Sequence, residues 1–130
     1  MIKMLIKKAC QMRDSAYCPY SNYRVGAAVL ADGKIFTGCN IENASYSAGI
    51  CAERTAAAKA VSEGCLKFEA VAIAVFSDDY AYPCGICRQF LSEFASSQME
   101  IYLINKYNHV CKELFAELFP HSFSKKDLNK

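Results

Sequence analysis

Apolar side chains at Ile2, Leu5, Ile6, Ala9 and Met12 recur at the spacing of one helical face, so residues 2–16 are expected to form an amphipathic helix. Cys18-Pro19-Tyr20-Ser21-Asn22 interrupts it, since proline lacks the N–H a helix interior needs. Residues 23–30 and 34–39 read as two strands joined through Asp32-Gly33, a pair that tolerates the positive φ angles of a tight hairpin. Small and polar residues make 40–49 a loop. The alanine-rich stretch 50–63 has strong helix propensity, and Gly64 supplies its stop. Residues 70–76 are apolar without a break, as in a strand buried on both faces. Pro83 leads into a helix expected over 84–95. Strands follow at 101–104 and 109–111. Too few residues separate them for a helical crossover, so these last two strands run antiparallel. Residues 114–119 suggest a turn or two of helix, ended by Pro120. The order helix, hairpin, helix, strand, helix, strand, strand is that of an α/β fold, a sheet covered by helices.

Composition narrows the function classes. The 130 residues suit one domain, 1–130, and the 53% hydrophobic and 22% charged residues mark it as globular. A net charge of +2 is too small for a polyanion-binding surface, and Lys7-Lys8 and Lys125-Lys126 are isolated pairs; no nucleic-acid partner is expected. Lys3 and Lys7-Lys8 break the apolar start, so it is not read as a signal peptide, and no run is long enough for a membrane span. A cytoplasmic protein is expected, with no membrane partner. There thiols stay reduced, so the eight cysteines do not imply a disulfide framework. Cys10, Cys18, Cys39, Cys65 and Cys111 stand alone and are read as small buried hydrophobes.

The remaining three cysteines carry chemistry. Cys51-Ala52-Glu53 and Pro83-Cys84-Gly85-Ile86-Cys87 each open an expected helix. Cys84 and Cys87 lie on one helical face and can chelate a single ion, with Cys51 as a third thiolate. Three protein ligands leave the fourth tetrahedral position of Zn²⁺ for water, the mark of a catalytic rather than a structural site. Helix amino ends favour thiolates through their free N–H groups and dipoles. Arg54 is placed to bond these sulfurs and offset their excess negative charge, although by spacing alone it fits a solvated helix surface equally well. Glu53, two residues past a ligand, can approach the open position. Thiolate donors make zinc a weaker acid than histidines would, so a carboxylate that takes the proton from water becomes necessary. Neither His109 nor His121 has ligand spacing.

The C-A-E and P-C-G-I-C segments match the signature of zinc deaminases, in which the glutamate is the acid/base group. Further segments extend the likeness: Ser21-Asn22-Tyr23-Arg24-Val25-Gly26-Ala27-Ala28, Gly38-Cys39-Asn40-Ile41-Glu42-Asn43, Cys51-Ala52-Glu53-Arg54-Thr55-Ala56 and, after Pro83, Cys87-Arg88-Gln89. The chain resembles the small homotetrameric zinc-dependent cytidine deaminases from its first helix to Phe123. The resemblance implies an α/β/α sandwich with a five-stranded mixed sheet and hydrolysis of cytidine and deoxycytidine to uridine and deoxyuridine. It implies one zinc per chain and Asn40 and Glu42 on the ribose hydroxyls, residues that otherwise read as ordinary loop polarity. It also implies Phe123 stacking from a neighbouring subunit. Tyr23 departs from the phenylalanine more usual in the family against sugar and base. Backbone groups near Ala52 and Cys84 are expected at the pyrimidine edge.

Other classes fit less of the chain. A thiol–disulfide oxidoreductase would use Cys84 and Cys87 but not Cys51, and a closed zinc module leaves Glu53 idle. A polynucleotide deaminase lacks its basic surface here, and a deaminase of nucleoside-like antibiotics is disfavoured by Asn40 and Glu42.

Overall fold

The structure, a computed structural model, describes residues 1–128. Its elements are α1 (Ile2–Met12), β1 (Val25–Ala31), β2 (Lys34–Cys39), α2 (Ala52–Ser62), β3 (Phe68–Val75), α3 (Gly85–Ser92), β4 (Ala95–Ile104), β5 (Val110–Leu114), α4 (Phe115–Leu118) and α5 (Lys125–Leu128), with 3₁₀ turns at Arg13–Ser15 and Tyr46–Ala48. The five strands form one sheet in the order β2-β1-β3-β4-β5. β1 runs antiparallel to β2 and to β3, β3 pairs parallel with β4, and β5 returns antiparallel along β4. The sheet is therefore mixed, with a single parallel pair.

Two clusters of buried side chains, one on each face, make the layers. On one face Leu5 and Ala9 of α1 pack over a floor that includes Ala28, Ala70, Ala72 and Ala74. On the other, α2, α3 and α4 cover Val29, Val71, Ile73, Ile101 and Leu103. Alternate residues of β1 and β3 serve opposite faces, as the pleat requires, and the alanine face lets α1 lie close. Full burial of Leu5 alone contributes on the order of 2–3 kcal/mol.

Glycine sets how near two helices come. A Cβ on Gly26 would sit 2.1 Å from the Ala9 carbonyl oxygen, and one on Gly38 would sit 2.4 Å from the Ala56 nitrogen and 2.6 Å from the Ala52 oxygen. Gly38 thus lets α2 rest on the backbone of β2. That contact aims the start of α2, with Cys51, at the loop following β2.

Several boundaries differ from expectation. The first helix stops at Met12 and tightens to 3₁₀ over Arg13–Ser15, not reaching residue 16 as one α-helix. Arg13 is buried; its guanidinium donates to the carbonyls of Val75 and Asn105 and to the Asn108 side chain, tying the helix end to the far edge of β3. β4 begins at Ala95, six residues before the expected 101; its mostly polar, half-exposed start lacks the apolar run by which a strand is read, and α3 correspondingly ends at Ser92 and not at 95. β5 extends to Leu114 with alternate burial, and α5 was not anticipated. Asp32 and Gly33 both have positive φ, the hairpin geometry their identities suggest.

Candidate active site

Two helix starts meet at the site. Cys51 is the N-cap of α2 and Cys84 the N-cap of α3, both in extended backbone. The Sγ atoms of Cys51, Cys84 and Cys87 all lie within 4.8 Å of one another, and Cys51 Sγ is 3.8 Å from Cys84 Sγ. An edge of about 3.8 Å is what a tetrahedron with ~2.3 Å zinc–sulfur bonds requires. The Cys87 amide donates to Cys84 Sγ at 3.5 Å, so the helix end stabilises negative charge on sulfur. Arg54 Nη2 donates to Cys51 Sγ at 3.9 Å, while its Nε is buried without a hydrogen-bond partner. An orphaned guanidinium nitrogen beside three sulfurs suits a set of thiolates around a cation. The donor set fits zinc.

Protonation follows from this geometry. Hydrogen bonding from Cys87 is the main cause that lowers the Cys51 pKa to about 5, with Arg54 helping and burial opposing. Cys87 is pushed up in turn, because its thiol keeps its proton to donate a hydrogen bond to Cys51, is itself buried and faces the Glu53 charge. Glu53, in the first turn of α2, is 5% exposed. Burial raises its pKa to about 7, and the neighbouring Cys51 charge adds to the rise. It can therefore hold or release a proton near neutrality.

Beside these groups opens a cavity of about 520 Å³, lined by residues that include Tyr20, Ser21, Asn40, Glu42, Tyr46 and Cys51. Its loop is not slack. Ile41 bridges to both Tyr17 and Ile50, so backbone bonds fix the segment running from β2 to Cys51.

The family model described as "Cytidine and deoxycytidylate deaminase zinc-binding region" matches residues 1–103. The chain belongs to the cytidine deaminase family. A cytidine deaminase of Sporosarcina psychrophila is 46% identical over 129 residues, 98% of this chain and 95% of its own. One from Halalkalibacterium halodurans is also 46% identical, over 98% and 97%. The crystal structure of cytidine deaminase from Burkholderia pseudomallei superposes with a TM-score of 0.88 at 40% identity, covering 95% of this chain and 99% of that one. The sandwich and its sheet are thus those of cytidine deaminases. The matched region is zinc-binding, and Cys51, Cys84 and Cys87 are the cluster that suits the ion.

The structure brings together Cys51, Glu53, Cys84 and Cys87 as the spacing suggested, sets Arg54 against Cys51, which spacing alone left open, and places Asn40 and Glu42 on the cavity wall. Both also serve the backbone opposite. Asn40 accepts from the Val25 amide and donates to the Tyr23 carbonyl. Glu42 accepts from the Tyr20 and Ser21 amides and from the Ser21 hydroxyl. These bonds hold the Glu42 pKa below the usual carboxylate range, the Ser21 hydroxyl contributing most. Ala52 is fully buried and is not part of the cavity lining. Tyr23 and Phe123 are exposed and lie outside the cavity lining; Phe123 sits in a separate shallow hollow with Ser92 and Glu93.

Tyr20, Ser21 and Tyr46 were not picked out from the sequence as site residues. Tyr46 is 80% exposed at the cavity rim, edge-on to Tyr20 with ring centroids 6.1 Å apart. The one signal in the sequence is a large aromatic ring in an otherwise small, polar loop.

Proposed function

We propose that this chain hydrolyses the 4-amino group of cytidine and deoxycytidine, adding water and releasing ammonia to leave uridine or deoxyuridine. The observation that carries the reading is a buried carboxyl, Glu53, beside three clustered cysteine sulfurs, of which Cys51 lines a nucleoside-sized cavity. Zinc, held by Cys51, Cys84 and Cys87 at one ion per chain, supplies Lewis acidity and a nucleophile at neutral pH. Glu53 accepts a proton from the attacking water, passes it to N3 of the cytosine ring, and then relays that water's remaining proton, from the new C4 hydroxyl, to the departing amine as the C4–N bond breaks. One carboxyl serves all three transfers because its pKa lies near the working pH. Arg54 holds the thiolates.

Asn40 and Glu42 receive the sugar hydroxyls, using the hydrogen-bonding capacity their backbone contacts leave free. Tyr23 contributes through its carbonyl, which accepts from the Asn40 side-chain amide and so helps to orient it, and the backbone at Ala52 meets the pyrimidine edge. Among the described residues, Arg54 is the only basic side chain lining the cavity, and it faces sulfur. A free nucleoside therefore suits the cavity better than a nucleotide. Residues 1–130 act as a single domain in a cytoplasmic homotetramer, where reduced thiols are available to the metal. No helix among the described residues is long and apolar enough to cross a membrane. Exposed Tyr20, Ile41 and Tyr46 around the cavity favour a covering neighbour, and the exposed Phe123 ring, outside its own chain's cavity, is suited to stack there from an adjacent subunit.

Incubating the zinc-loaded protein with each compound and following the ultraviolet change tests the reading. Turnover of cytidine and deoxycytidine is expected, with free cytosine far slower, because lost sugar contacts leave polar groups unpaired. Absence of cytidine turnover overturns the activity. Equal kcat/KM for cytosine overturns the roles of Asn40 and Glu42.

A further inference from the structure

The helix that offers Cys84 and Cys87 also holds the C-terminal segment. Arg88, directly after Cys87, donates through Nε to the Pro83 carbonyl and through Nη1 to the Leu118 carbonyl, each at 2.7 Å. The next residue, Gln89, donates through Nε2 to the Phe123 carbonyl at 3.0 Å. Pro83 is fully buried and immediately precedes Cys84; Leu118 is the last residue of α4. One guanidinium thus spans from the turn that presents a sulfur to the root of the tail, and its neighbour grips the tail five residues on. Neither side chain has a part in the proton transfers.

We propose that Arg88 and Gln89 are positioning residues that couple the sulfur-bearing turn 83–87 to segment 118–123, so that metal occupancy steadies the tail. An arginine suits this task because its planar fork is rigid and its bonds are charge-assisted. Fixing Cys84 and Cys87 fixes the Pro83 carbonyl between them and the guanidinium, which in turn orients the second N–H toward Leu118. The coupling is reciprocal: whatever immobilises the tail favours the loaded turn by the same factor. Given the reading of Phe123 above, one chain's metal would then set how firmly that chain covers a neighbour's substrate. The exposed Lys125–Glu93 pair at 3.5 Å lies along the same line but adds little.

The test needs no turnover, so it stands apart from the proposed activity. Zinc release from loaded wild type, Arg88→Lys and Gln89→Ala to a chromophoric chelator is timed, and hydrogen exchange is followed at 83–88 and 118–128. Lysine cannot reach both carbonyls. Arg88→Lys is expected to release zinc about tenfold faster, within the usual range of such couplings, and to raise exchange in both segments. Gln89→Ala is expected to raise exchange in the tail and to speed release by a smaller factor. Cobalt(II) loading gives a further readout: Arg88→Lys should alter the visible ligand-field bands, which a residue that merely braces the tail would leave unmoved. Unchanged zinc release in both folded variants overturns the coupling. So does unchanged release in Gln89→Ala alone, should Arg88→Lys not fold.

Discussion

Glu53 and Glu42 are two carboxyls in one site with opposite fates. Burial drives Glu53 up to about 7, whereas amide and hydroxyl donors hold Glu42 down. Each therefore suits a different task, moving a proton or staying charged toward hydroxyls. Glu53→Ala should keep zinc and fold but lower kcat at least ~10³-fold, since general acid/base groups contribute on the order of 10²–10⁴ and here one group acts repeatedly. Turnover measured beside metal content checks this; near-normal kcat in a zinc-loaded variant sinks the mechanism. For Glu42 the sign is that of a depressed acid. Its carboxylate persists as pH falls below the ordinary range, and KM for cytidine should climb only once that lowered pKa is crossed. Ser21→Ala removes the largest cause of the depression, so the KM rise should begin at higher pH than in wild type. Superimposable KM–pH profiles at equal zinc content would count against that role.

Among the elements, the approach of α2 to β2 decides whether Cys51 meets the other sulfurs. Gly38 allows it, because any Cβ there would collide with the backbone of Ala52 and Ala56. Backbone has no alternative rotamer, so the helix itself must move. Gly38→Ala should cost about 1–3 kcal/mol of stability, as overpacking does, and should weaken zinc binding more than an equally destabilising Leu5→Val on the opposite face. Thermal unfolding with a chelator titration separates the two effects. Equal zinc affinity in both variants would show that the metal site tolerates a shifted α2. At the opposite edge, Arg13 and Asn105 join α1 to the β4–β5 turn. Asn105 further donates to the Asp78 carbonyl, on the loop that leads to Cys84.

At the scale of the whole molecule, one chain leaves its cavity open beneath exposed Tyr46 and carries Phe123 elsewhere. If Phe123 acts on a neighbour, Glu53→Ala and Phe123→Ala are complementary defects. Dissociating and reassembling the two variants together should give more activity than the average of the two alone, because some hybrid sites regain both groups. Light scattering should report a tetramer. A monomer active at assay concentration, or hybrids that form without gaining activity, would refute the shared site.

Local patterns in the sequence determined much of this protein. Helical periodicity, the Asp32-Gly33 hairpin and the unbroken apolar run of β3 are short-range signals, and each produced its element. The C-x-E and P-C-x-x-C spacings picked out three cysteines that the fold gathers into one cluster, because chelation on a helix turn fixes which offsets can share one ion. Resemblance was needed to give Asn40 and Glu42 meaning, since polar loop residues look alike without a partner in view. Only the tertiary structure decided the rest. The polar first half of β4 is anchored to β3 at Ala95, opposite Phe68, before a register shift after which pairing resumes at Glu100, and Arg13 is buried because carbonyls from distant elements converge on it. Burial on all sides also sets the Glu53 pKa, and Arg88 and Gln89 acquire partners 30 and 34 residues away. Such effects depend on groups far apart in the chain, which no window along the sequence brings together.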